Sequence, residues 1–321
     1  MGMLYKGQWT DKDDIIHDGA YIRPTSKYNG EIPVHVIDNI ATSPGRYWLI
    51  GSNSCQWSQR PMLMRRLKKL DDLIPLHIAH GPRLEGYAIN GGKTWKVPGS
   101  NHSIIHLHQL YTLSNPNYTG RSTVPVLWDS QTQQIISNES SQIMLALDKV
   151  QTEEQLPLTY YPPTLNEEMS DIDGLIYSGL SNGVYKAGFA QSQNAYDQAV
   201  SLVFDTLDSL EQRLREKRYL FGTKQTASDW KLFTTLLRFD LVYYTLHRCL
   251  TKRLVDYPNL WAYTRDLYQT KSIAGTVDIP TIVAASFQND TGNNPHNIIP
   301  VTPDLDWEAP HNRDILDPSH S

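Results

Sequence analysis

The sequence predicts an α/β first half followed by an all-α second half, and three observations carry that division. Short apolar runs alternate with helical periods between residues 46 and 150. Val124-Pro125 there leads into a hairpin signal, with an apolar run to Trp128, a polar turn and a return through Ile135-Ile136. Beyond residue 170 the apolar residues repeat every three or four positions.

Residues 1–45 mix Gly, Pro, Asp and Tyr without sustained periodicity and read as an extension over the surface of the first domain. The domain itself is expected at 46–150. Its first strand, Arg46 to Gly51, is followed by a helix in which Met62, Met64, Leu67 and Leu70 are apolar and Arg65, Arg66, Lys68 and Lys69 form the wet face. Leu73 to Ala79 is the second strand, Ile104 to Leu113 the second helix, and Ser140 to Leu147 the helix after the hairpin. The order βαβα then ββα is that of a thioredoxin-like domain. A polar, Pro-bearing linker is expected at 151–170, and an all-α domain at 171–321. In the latter, Tyr196, Val200, Val203, Leu207, Leu210 and Leu214 share a helix face. Thr226-Ala227-Ser228-Asp229 has capping-box form and opens a helix through Trp230, Phe233, Leu237 and Leu241.

A length of 321 residues with 40% apolar composition suffices for two cores. The net charge of −5 argues against a nucleic-acid partner, which calls for a strongly basic face. No apolar run reaches bilayer-spanning length and the first residues lack the apolar core of a secretory signal, so no membrane partner and a cytoplasmic location are expected. The two cysteines are too few for a disulfide framework.

Cys55 closes a strand and precedes a helix, where unpaired N–H groups favour the thiolate and hence a nucleophile. An unpaired cysteine is also commonly just a small buried apolar residue. Its place between strand and helix favours the nucleophile. Ser58 stands where dithiol oxidoreductases carry a second cysteine, and Cys249 is expected on a helix of the other domain in a structural role, so a monothiol mechanism follows. His102, His106 and His108 lack the HExxH glutamate and read as a solvated helix face, with no metal site expected. No phosphate loop occurs.

The cysteine at the first helix, Thr123-Val124-Pro125-Val126-Leu127-Trp128-Asp129, Ser137-Asn138-Glu139-Ser140, Gly183-Val184-Tyr185-Lys186-Ala187-Gly188-Phe189-Ala190 and Arg238-Phe239-Asp240 together resemble the glutathione transferase superfamily, and within it the Xi class of glutathionyl-hydroquinone reductases. The resemblance covers nearly the whole chain. It implies that Cys55 forms a mixed disulfide with glutathione, the co-substrate. Val124 would offer backbone groups to the middle of the tripeptide, exposed by a cis Pro125. Glu139 and Ser140 would take its γ-glutamyl end, and Trp95 and Arg121 would pack on and pair with it. Tyr185 and Tyr243 would line the pocket for a small aromatic glutathione conjugate, and a homodimer is implied. Read alone, Trp95 is an ordinary packing aromatic, Arg121 a loop ion pair, and the tyrosines core residues with satisfied hydroxyls.

The chain departs from the family pattern in two places. Cys55-Gln56-Trp57-Ser58 replaces the usual Cys-Pro-Trp-Ala, and Ser286 stands where a further pocket tyrosine is expected beside Phe287. Two other activities remain open: an omega-like thiol transferase or dehydroascorbate-type reductase, and a non-catalytic interaction module of the same fold. The host could also use a different low-molecular-weight thiol.

Overall fold

The structure is a computed structural model describing residues 2–12, 15–152, 158–290 and 292–317. The chain forms two compact units. One gathers Met1–Asp14, Pro24–Leu158 and Asp278–Asn289, the other Ile15–Arg23, Thr159–Val277 and Asp290–Ser321.

The N-terminal stretch is more structured than its composition suggests. Strands β1 (Met3–Tyr5) and β2 (Gln8–Thr10) pair antiparallel, as do β3 (Ile16–His17) and β4 (Ala20–Tyr21), and helix α1 spans Val34–Thr42. The first hairpin is tied into the first unit by Leu4, which exchanges two 2.9 Å backbone bonds with Gly120. The α1 helix buries Val36, Ile37 and Ile40. Two and a half turns long, it leaves too short an apolar pattern to register as periodicity. Ile15–Arg23 groups with the second unit, so the expectation of one extension over the first domain is corrected.

In the first unit, β5 (Tyr47–Gly51) leads through a turn into α2 (Gln56–Leu67) and then β6 (Leu76–Ile78). The short β7 (Trp95–Lys96) and β8 (Ser103–Ile104) pair before α3 (Leu107–Ser114), and the hairpin β9 (Val126–Asp129) and β10 (Gln134–Ser137) precedes α4 (Ser140–Lys149). The central sheet runs β10-β9-β5-β6, with β5 and β6 parallel and the other pairs antiparallel. This is the thioredoxin-like layout. Helix α3 begins three residues later than expected because the Gln109 side chain accepts from the N–H groups of Ile105 (2.7 Å) and His106 (3.0 Å), capping it there.

Gly51 shows which sheet face α2 covers: a Cβ there would lie 2.7 Å from Met62 Sδ and 3.4 Å from Ser58 Cβ. The basic residues of α2 do not form one wet face. Arg66 and Lys69 are exposed, but Lys68 is buried, donating to the Leu158 carbonyl (2.7 Å), and Arg65 binds Asp71 (2.7 Å) and the Ile74 carbonyl. Their alkyl stems lie along apolar surface while the charged ends find oxygen partners.

The regular elements of the second unit are helical apart from the β3–β4 hairpin. Helix α5 (Asn166–Leu175) begins inside the expected linker, of which residues 153–157 lie outside the described residues; it runs through a π-helical turn, Ile176–Ser181, into α6 (Gly183–Phe189). Helix α7 (Gln193–Arg213) buries Val203, Leu207 and Leu210 as its period requires. Helix α8 (Ala227–Leu236) opens on the foreseen box: Asp229 accepts from the Thr226 N–H and hydroxyl, both at 2.7 Å. It ends earlier than expected, giving way to a π-helical turn, Phe239–Tyr243, and the short α9 (Tyr244–Leu246), after which Cys249 lies in non-helical chain. Helix α10 (Pro258–Tyr268) completes this unit, and α11 (Ile279–Gln288) belongs to the first.

Candidate active site

The sheet brings four chain segments to one end. Gly51 pairs with Ile78, Ile50 with Val126, and Leu127 with Ser137, so the turn after β5, the loop after β6, the segment before β9 and the segment after β10 emerge side by side. Cys55 comes from the first of these, Val124 and Pro125 from the third, and Glu139 and Ser140 from the fourth.

Cys55 is the N-cap of α2, with extended backbone (φ −96°, ψ 114°) and no capping bond from its side chain. The residue is 7% exposed. Its Sγ lies 3.9 Å from the Val124 carbonyl oxygen, to which the thiol donates. Val124-Pro125 is a cis peptide, as the resemblance implies. Among the described residues no group accepts from the Val124 N–H, leaving a donor beside the sulfur for an incoming peptide-like ligand. Glu139 is the N-cap of α4, accepting from Ser141 N–H at 3.3 Å, and Ser140 is its first residue, buried and bonded to the Glu139 carboxylate at 3.4 Å. Free N–H groups of a first helical turn suit a carboxylate, and the neighbouring Glu139 suits an ammonium.

The loop carrying Val124 is held from behind by residues that the sequence alone does not single out. Tyr111 Oη donates to the Thr123 carbonyl (2.7 Å) and accepts from the Thr123 N–H (3.2 Å) and the Asn138 amide (3.0 Å). Asn138 exchanges bonds with the backbone of Tyr28, in the N-terminal segment, at 3.1 and 3.2 Å. Tyr111 sits on the apolar face of α3, where its period reads only as core; no pattern in one sequence marks a hydroxyl that braces a loop. Arg121 lies half-buried three residues before Val124, and its carbonyl accepts from Tyr118 Oη at 3.1 Å.

Trp95 is placed as a packing residue. Its ring stacks on His77 (centroids 4.4 Å apart) and meets Trp48 edge-on at 6.4 Å. His77 shares register with Ile50, whose side chain points away from the α2 face that Gly51 marks, so Trp95 covers the opposite side of the sheet.

Ser58 is fully buried, and among the described residues its hydroxyl has no partner. No second thiol stands near Cys55 in its unit; Cys249 lies in the other unit, where burial pushes its pKa up to about 12. The histidines do not form a solvated face. His106 caps α3, and His108 is buried, stacked on Trp9 and bonded to Glu85 at 2.9 Å, because the β1–β2 hairpin covers that side. Among the described residues no group of three His, Cys, Asp or Glu could hold a metal ion.

In the second unit, Tyr185 on α6 and Tyr243 at the end of the π-helical turn place their hydroxyls 3.5 Å apart. His247 packs against both, with ring centroids at 5.2 and 5.1 Å, and burial lowers its pKa to about 4. Gly188 makes room for it, since a Cβ there would fall 2.5 Å from the imidazole. Ser286 of α11 spends its hydroxyl on the Ile282 carbonyl at 2.6 Å.

The comparisons agree with this geometry. Residues 54–150 match the glutathione S-transferase N-terminal domain and residues 193–266 the C-terminal domain. The chain is 38% identical to the glutathionyl-hydroquinone reductase YqjG of Escherichia coli, over 98% of this chain and 99% of that protein. It is 36% identical to the glutathionyl-hydroquinone reductase PcpF of Sphingobium chlorophenolicum, over 94% and 96%. Among solved structures, glutathione-bound YqjG superposes with a TM-score of 0.82 at 37% identity, covering 97% of this chain and 99% of that one. A Xi-class transferase from Natrialba magadii does so with 0.85 at 36%, covering 98% and 97%. No helix among the described residues is long and apolar enough to cross a membrane. A cysteine capping the first helix of a thioredoxin-like sheet, facing the carbonyl before a cis proline and followed by a helical unit, is thus matched along nearly the whole chain: the protein belongs to the glutathione S-transferase family, in its Xi class.

Proposed function

We propose that this protein reduces glutathionyl-hydroquinones and related aromatic glutathione conjugates, using glutathione as co-substrate. The observation that carries this reading is the Cys55 sulfur at the N-terminus of α2, 3.9 Å from the carbonyl that precedes the cis proline. The names of the two relatives over 35% identical support it.

In the first step the Cys55 thiolate attacks the sulfur of the conjugate. A Cys55–glutathione disulfide forms, the aryl carbon–sulfur bond breaks, and the ring carbon takes the electron pair and a proton. Tyr185 and Tyr243 orient the ring through its oxygens and deliver that proton, which solvent replaces. A second glutathione thiolate then attacks the mixed disulfide, releasing oxidised glutathione and restoring Cys55. The ring is reduced by two electrons and two glutathione sulfurs are joined, so no hydride donor enters. Val124 holds the cysteinyl backbone of the glutathionyl group, Glu139 and Ser140 its γ-glutamyl end, and Arg121 pairs with it. Trp95 packs on it as well, its ring tied to β6 by the stack on His77. The enzyme is assigned to the cytoplasm, where glutathione keeps thiols reduced, and by family precedent to a homodimer, which light scattering checks.

Mass spectrometry after incubation with glutathionyl-menadione tests the reading. A glutathione adduct on Cys55, released menadiol, and loss of both in Cys55→Ala are expected. Turnover that survives Cys55→Ala refutes it. Equal or faster turnover of a simple mixed disulfide, with none of glutathionyl-menadione, would instead favour an omega-like thiol transferase; a Schizosaccharomyces pombe relative that is 32% identical is named glutathione S-transferase omega-like 2.

A further inference from the structure

Arg83 lies on the loop after β6, the second of the four segments at the functional end of the sheet. Its terminal Nη2 donates to Ser54 Oγ at 3.0 Å, one residue before the nucleophile, and Ser54 in turn meets Ser52 Oγ at 3.2 Å. The guanidinium lies over the Tyr87 ring, 4.1 Å from its centroid. Its backbone N–H is held by the Asn289 side chain, at the end of α11, at 2.8 Å. The arginine is thereby fixed on three sides.

Among the described residues it has no anion beside it. Arg46 is paired with Asp129, Arg65 with Asp71 and Arg218 with Asp266. Among the described residues Arg83 meets a neutral hydroxyl and an aromatic face, and no carboxylate. A half-buried guanidinium with N–H groups to spare is suited to bidentate capture of a carboxylate.

Its place in the sheet gives the ligand. Across β10-β9-β5-β6 the groups at this end follow one another as Glu139 and Ser140, Val124, Cys55 and Arg83. Three inter-strand spacings make a row of roughly 14 Å, the order of length of an extended tripeptide with one side-chain linkage. With the γ-glutamyl group at Ser140 and the cysteinyl group at Val124, the free carboxylate at the far end of the substrate falls on the Arg83 side. We infer that Arg83 binds a carboxylate of the substrate held at Cys55 and fixes its position along the sheet. This rests on the glutathione reading above. Two sources present that chemistry: the glycyl carboxylate of glutathione and an acidic substituent on the aromatic group.

Binding of glutathione and of its glycyl ethyl ester to the Cys55→Ser protein, with and without Arg83→Met, separates them, together with turnover of hydroquinone conjugates bearing and lacking a ring carboxylate. If the glycyl group is the ligand, esterification weakens binding about tenfold in the presence of Arg83, the scale of one charge-assisted bond, and not after Arg83→Met. If the ring substituent is the ligand, the acidic conjugate loses its advantage in Arg83→Met while glutathione and ester stay equal. Arg83→Lys recovers part of either effect and, with unchanged melting temperature, excludes misfolding as the cause. Equal losses for charged and uncharged ligands in Arg83→Met overturn the assignment even where conjugates are turned over. A protein that binds glutathione with this dependence on Arg83 but reduces no conjugate refutes the proposed activity and leaves Arg83 in place. Failure of the parent protein to bind glutathione overturns both.

Discussion

Tyr111 grips Thr123 by both backbone groups, donating to its carbonyl at 2.7 Å and accepting from its N–H at 3.2 Å. Burial pushes the phenol up to about 12, so it keeps its proton wherever thiol exchange operates. Tyr111→Phe strands the Thr123 groups and the Asn138 amide. We expect about 1–3 kcal/mol of lost stability in chemical denaturation, and a raised KM for glutathione as the Val124 segment loosens, with Cys55 still forming its adduct.

The two thiols should respond differently to a small disulfide reagent. Cys249 is fully buried and its pKa of about 12 keeps it protonated at neutral pH. One equivalent of thiol, at Cys55, is expected to react in the native protein and two in denaturant, with peptide mapping naming the site. Native labelling of Cys249 contradicts this.

If Tyr185 and Tyr243 serve the aromatic half of the reaction, Tyr185→Phe and Tyr243→Phe each lower kcat/KM for glutathionyl-menadione by about a hundredfold, the lower end of general-acid contributions. Rates on a simple mixed disulfide, which has no ring oxygens to hold, stay within about twofold under the same transition-state accounting. Equal losses on both substrates would place these residues in packing alone.

His247 gives the fold a pH dependence whose sign is fixed. Its native pKa of about 4 lies below the ordinary 6.5, so between those values the unfolded chain binds the extra proton and the native one does not. Its contribution is fully present above pH 6.5 and is lost as pH falls toward 4. Melting temperature measured from pH 7 to 5 should therefore fall less in His247→Phe than in the parent protein.

Asp229 is fully buried and holds four donors: the Thr226 N–H and hydroxyl at 2.7 Å, the Leu220 N–H at 2.9 Å and Tyr263 Oη at 2.9 Å. Asp229→Ala removes a helix cap and leaves buried groups unmatched, for an expected loss of about 3 kcal/mol or more. Denaturant titration followed by tryptophan fluorescence reads it. A loss under about 1 kcal/mol would mean that water replaces the carboxylate.

Legibility in the sequence followed the range of each interaction. The box at Thr226–Asp229 and the Val124–Pro125 hairpin are local, and both appear as expected. Strand order and the position of Cys55 followed from apolar periods and one strand-to-helix junction. Whatever depends on distant pairing stayed hidden. The basic residues of α2 look alike in sequence, yet Lys68 is buried because the Leu158 carbonyl waits ninety residues away. His108 reads as wet until the β1–β2 hairpin lays Trp9 on it. The stack of Trp95 on His77 shows only once β6 is set beside β5. The π-helical turn that presents Tyr243 interrupts what periodicity alone reads as one continuous helix.

The grouping of α11 with the first unit means that the cysteine-bearing half is not complete when its sheet is. Asn289, which steadies Arg83, leaves the ribosome more than two hundred residues after Cys55. A fragment ending near Leu158 would carry the nucleophile without this brace, and excising one half at a single cut cannot yield a finished copy of the other. The nucleophile's half is therefore finished only when most of the polypeptide has been made.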